Sequence, residues 1–131
     1  MMKIDIDKLR QLMGDLSNEK GEFSFFGLFL RAEAHDRWDL VVSSPWLEDG
    51  RLKALREFVE KLAAAIGEDQ LLSISRVVTL NADDPALDAV IKAVSVEDGL
   101  VEIRDTDLFG LKIAHAYIMR AKRLQVPAHA T

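Results

Sequence analysis

Apolar residues recur along this chain with two periods, close to 3.6 and to 2, and the switches between them mark out eight elements. Leu9, Leu12, Met13 and Leu16 share one helical face, with Asp5 or Asp7 as the N-cap and Asn18 and Gly21 as the stop. The pattern then alternates. From about Glu22 to Ala34, Phe23, Phe25 and Phe29 fall on one side of a strand, and Phe26, Leu28, Leu30 and Ala32 on the other. Such a strand has both faces covered. His35-Asp36-Arg37 reads as a polar turn, and Trp38 to Ser44 as the antiparallel partner strand.

Ser44-Pro45 signals helix entry, since proline at the first helical position loses no hydrogen bond. The helix body is expected over Gly50 to Ile66, with Leu52, Leu55, Phe58, Val59, Leu62 and Ile66 on one stripe and Gly67 ending it. Leu71 to Leu80 alternates as a third strand, with Leu72, Ile74, Val78 and Leu80 set against Ser73, Ser75 and Thr79. Asp84-Pro85 repeats the cap-then-proline device before a short helix carrying Leu87, Val90, Ile91 and Val94 inward. Asp98-Gly99 is a turn, and Leu100 to Arg104 a short strand.

Residues 111–123 satisfy both periods. Leu111, Ile113, His115, Tyr117 and Met119 alternate as a strand does, whereas Leu111, Ala114, Ile118 and Ala121 fit a helix. Asp105 to Gly110 resembles a hairpin connection, which tips the reading to a strand and leaves the helix open. The order α-β-β-α-β-α-β-β implies an α+β fold: a mainly antiparallel sheet of about five strands with two to three helices packed on it.

At 131 residues the chain fits one domain, read as a unit from about Ile4 to Arg123 with 124–131 as a loose tail. Glycine and proline are sparse, and no linker, repeat or low-complexity run interrupts it. The longest apolar stretch, Phe23 to Leu30, is far short of the ~20 residues that span a bilayer, so a membrane role is excluded. The N-terminus carries charge where a secretory signal has its apolar core. With no cysteine to mark a redox compartment, the cytoplasm is the default location.

The net charge is −5, distributed as −4 over residues 1–50, −3 over 51–100 and +2 over 101–131. An acidic chain is repelled by phosphate backbones, and the basic cluster Arg120, Lys122 and Arg123 is too short to reverse that, so nucleic acid is disfavoured. The absence of cysteine excludes disulfides, thiolate metal sites and a cysteine nucleophile. Glycine-rich phosphate loops are missing, as are G-x-S-x-G and H-E-x-x-H, and no motif calls for a cofactor.

Among residues that carry chemistry, His35, Asp36 and Asp39 form a conceivable metal cluster, although polar turns gather such residues without a ligand. His115, between Ile113 and Tyr117, reads as a partly buried strand histidine first and an acid–base group second. Asp39 with Glu48 and Lys53 is the nearest approach to a metal-dependent hydrolase or nuclease, with spacing that departs from the usual strand pairing. Serines 43, 44, 73 and 75 have no local base, and Asp5, Asp7, Asp49, Asp83 and Asp84 sit where helix caps belong.

The aromatic residues weigh more. If all helices lie on one side of the sheet, the doubly apolar strand must meet a partner or a second copy on the other side. The leading expectation is therefore a non-enzymatic homodimeric module that works by protein–protein association, with a separate protein partner also admitted. The alternative is a small-molecule binding domain, its pocket between sheet and helices, lined by Phe25, Phe29 and Trp38 with His115 or Tyr117 as polar contact. Trp46 and Phe109 complete the interface or pocket candidates.

Overall fold

The computed structural model describes residues 4–33, 37–94, 99–108 and 110–124. His35, Asp36, Phe109 and the 125–131 part of the tail lie outside them. The elements run α1 (Ile6–Glu19), β1 (Phe25–Arg31), β2 (Trp38–Ser43), α2 (Pro45–Ile66), α3 (Glu68–Leu71), β3 (Ile74–Thr79), α4 (Pro85–Ala93), β4 (Val101–Leu108) and β5 (Leu111–Ala121). The five strands form one mixed sheet in the order β3-β2-β1-β5-β4, giving the α+β architecture that the pattern implies. Three pairings are antiparallel; β2 and β3 are parallel, because α2 carries the chain back to the starting end of the sheet.

α1 starts where Asp5 accepts hydrogen bonds from the amides of Asp7 (3.0 Å) and Lys8 (3.3 Å), and it buries Leu9, Leu12, Met13 and Leu16. α2 begins at Pro45, five residues earlier than the apolar stripe suggests. Ser44 does not cap it with its side chain; the hydroxyl donates to the Glu22 carbonyl at 2.8 Å and ties the helix entry to β1. Arg51, at φ 51° and ψ −128°, breaks α2 into two segments. That break rotates the second segment, so Ala54, Phe58, Leu62 and Ile66 are buried while Leu52 is 60% exposed.

The expected strand from Leu71 is shortened by the helical turn α3, which leaves Leu72 exposed and starts β3 at Ile74. Residues 111–121 are strand. β5 is long enough to give β4 partners up to Leu108, so most of the expected Asp105–Gly110 connection is ladder instead of loop.

Helices cover both faces, so the condition under which a bare face would need a partner, all helices on one side, is not met. α1 and α2 pack over Phe23, Phe26, Leu28, Trp38, Leu40, Val42 and Met119. α4 packs over Phe25, Phe29, Val41, Ile113, Ala116, Ile118 and Ala121 through Leu87 and Val90. The two coverings are unequal: 36 residues of helix against the 9 of α4, a rod only ~13 Å long. Among the described residues no helix is long and apolar enough to cross a membrane.

Candidate ligand groove on the α4 face

Strand alternation puts Phe25, Gly27, Phe29 and Arg31 of β1, and Asp39, Val41 and Ser43 of β2, on the α4 side of the sheet. The pairing register aligns Arg76, Asp39, Phe29, Ala116 and Ile103 in one row across all five strands. α4 follows β3 after Leu80, and Ala86 in its first turn lines the same groove as Phe29.

This groove, of about 120 Å³, is lined by Phe29, Val41, Val78, Leu80, Ala86, Leu111 and Ile113, with Asp39 and Arg76 as its charged members. Asp39 is 4% exposed. Its Oδ2 accepts from Arg31 Nε at 2.9 Å and is paired with Arg76 Nε at 3.1 Å. Its Oδ1 is buried and has no hydrogen-bond partner among the described residues. A buried acceptor left unmade costs roughly 1–3 kcal/mol, so this oxygen is a standing demand for a donor. Arg31 is used on both sides, since its Nη1 also donates to Glu33 at 3.0 Å. Arg76 is half exposed at the groove, and its Nη groups make no hydrogen bond among the described residues.

The aromatic candidates divide between the two faces. Phe25 and Phe29 stack on the α4 side, ring centroids 5.9 Å apart and 20° from parallel, and both are buried in the chain's own core. A charged residue at either position would enter that core. Trp38, His115 and Tyr117 meet on the opposite face, with centroids 5.8 Å apart for Trp38–His115 and Trp38–Tyr117, and 4.6 Å for His115–Tyr117. The pocket combining all five therefore does not form. Trp46 packs edge-on to Phe23 at 6.4 Å and joins the core beneath α2.

Beside Tyr117, Glu102 on β4 bonds His115 Nε2 and accepts from Arg104 Nη2 at 3.0 Å. Arg104 first, and His115 second, hold the Glu102 carboxyl below its usual range. Burial, together with the Glu102 charge, pushes the Tyr117 phenol above its usual value. These polar groups are spent on one another, and the cluster ties the edge strand β4 to β5.

The metal reading loses its geometry. Asp39 and Glu48 line different clefts, and from Asp39 to the end of β2 alone is roughly 13 Å at ~3.3 Å per residue. Glu48 Oε2 instead accepts from the Ala82 amide at 3.1 Å. Among the described residues no group of three or more His, Cys, Asp or Glu is placed to hold a metal ion. The serines are structural where their bonds are formed: Ser43 Oγ donates to the Leu80 carbonyl at 2.7 Å, and Ser24 Oγ to that of Ser43 at 3.3 Å.

Asp39 was legible from sequence as a candidate, but its partners Arg31 and Arg76 were not. The available signal was an arginine on the same strand face as Phe25 and Phe29. A charge on a buried stripe implies a counter-charge from a neighbouring strand. Against known proteins, no family model, no curated protein and no solved structure matches the chain.

Proposed function

We propose that this protein is a non-enzymatic binding domain that takes a small molecule in the groove over Phe29. The observation that carries the reading is Asp39: a buried carboxylate with one unpartnered oxygen, lining an apolar groove beside α4. Among the described residues Ser17, Trp46 and Arg120 also hold a buried polar atom without a partner, but of the four residues only Asp39 both carries a charge and lines this groove. A thermal-shift screen of small metabolites against the wild type and Val78→Trp tests it. Val78 is only partly buried, and a larger side chain there fills the groove. A compound that stabilises the wild type saturably and leaves Val78→Trp unmoved supports the reading; equal shifts in both proteins contradict it.

Self-association is the second reading, favoured by a different observation. On the β4 side of the same face Val101, Ile103 and Leu108 are only partly buried, and Leu100 next to them is 42% exposed. A homodimer built there buries this strip against its copy. Sedimentation of the wild type over a hundredfold concentration range is then expected to show a monomer–dimer equilibrium that Ile103→Lys shifts to monomer. A monomer throughout removes this reading and leaves the groove untouched.

A further inference from the structure

The charges around the groove specify more than an apolar guest, and they rest on the same reading of it as a ligand site. Asp39, Arg31, Arg76 and Glu33 form a set of two carboxylates and two guanidiniums, formally neutral overall. Of the two members that line the groove, each keeps one capacity unused among the described residues: Asp39 Oδ1, which accepts, and the Nη fork of Arg76, which donates. A monocation satisfies the first and leaves the second in water. A simple carboxylate does the reverse, and leaves the buried oxygen orphaned. A zwitterion with its two charges a few ångströms apart matches both and leaves the site neutral.

We infer that the groove binds a free α-amino acid with a small branched aliphatic side chain. Its ammonium donates to Asp39 Oδ1, its carboxylate lies on the Arg76 fork, and its side chain rests on Phe29, Val41 and Ile113. The size agrees. About 120 Å³ holds the four carbons of an isobutyl side chain at ~30 Å³ each, roughly the volume share of a water in the liquid, with the ammonium and carboxylate at the charged edge of the groove. Two of the lining residues reach solvent: Arg76 is half exposed and Leu111 37% exposed. Asp39 is then a ligand contact, and Arg31 a positioning residue that fixes the carboxylate through Oδ2.

The test is calorimetric titration of the full chain with L-leucine and three analogues that each lack one feature. These are 4-methylpentanoate without the ammonium, 3-methylbutylamine without the carboxylate, and glycine without the side chain. Leucine is expected to bind at least tenfold more tightly than every analogue. Arg76→Gln is expected to lose most of that advantage over the amine while still unfolding cooperatively in urea, because Arg31 still pairs with Asp39. Asp39→Asn should narrow the gap between leucine and 4-methylpentanoate, and if it does not fold the Arg76→Gln result stands alone. Equal binding of leucine and either truncated head group overturns the amino-acid assignment while the groove reading survives. Absence of binding by all four overturns the assignment as well; a neutral probe, 4-methylpentan-1-ol, then decides the groove reading through perturbation of the Val41, Val78 and Ile113 methyl resonances.

Discussion

Gly27 has no side chain, and the stacked pair of phenylalanines depends on that. Phe25 and Phe29 flank it on the same strand face, and a methyl at Gly27 would lie 2.9 Å from the Phe29 ring and 3.1 Å from that of Phe25. Its backbone is ordinary strand, so the constraint is steric and not conformational. Gly27→Ala is expected to destabilise the protein by about 1–3 kcal/mol, the usual cost of overfilling a packed core, and to tilt the ring that floors the groove. Urea unfolding measures it, and an unchanged midpoint would show that the rings move aside freely. The residue scale is also where sequence reading reached least far. Phe25, Phe29 and Asp39 were all visible as unusual, but which side chains meet depends on register, set for Phe25 and Phe29 by β5, more than 75 residues away, and for Asp39 by β1 and β3.

The elements themselves were largely legible, because caps, prolines and period carry local information. The misplaced boundaries share one cause: backbone features that periodicity cannot see. The break at Arg51 joins two helical segments into α2, and no glycine occupies the position with φ 51°. A non-glycine residue held in such a region is strained by roughly 1–3 kcal/mol. Arg51→Gly is therefore expected to raise the urea midpoint by the equivalent of about 1 kcal/mol, after the entropy cost of glycine in the unfolded chain is subtracted; a lowered midpoint would show that the arginine side chain holds the joint.

At the sheet edge, the bonds of Glu102 to Arg104 and His115 make a pH-dependent clasp between β4 and β5. The folded carboxyl is held below its ordinary value of 4.5, so its contribution is present above that value and lost as pH falls through the lower, folded one. The stability difference between the wild type and Glu102→Gln should be present above the ordinary carboxylate range and vanish as pH drops through the acid range. A difference that persists in strong acid would assign the effect to packing. The clasp is solvent-exposed, so the difference is expected to be small.

Over the whole molecule, the two sheet faces have separate tasks. α1 and α2 bury the centre of one face, and an ion pair from Lys20 to Glu57 at 2.7 Å joins them. The other face carries one short helix, a half-open apolar surface and the buried carboxylate. Sequence reading found the excess of apolar residues on β1 and inferred that something must cover it. It could not see that α4 would cross over to supply part of that cover, because handedness and crossover are properties of the assembled sheet. What remains open beside α4 is a groove of molecular size, not a whole face.

The most direct test of this division is a methyl-resolved NMR titration of the isotope-labelled full chain with a panel of small aliphatic amphiphiles, both charged and neutral. Saturable shift changes are expected at Val41, Val78, Leu80, Leu111 and Ile113 alone, with Leu9 and Leu12 of α1 and Leu62 of α2 unmoved. Changes centred on the α1–α2 face, or no response at the groove from any member of the panel, would contradict it.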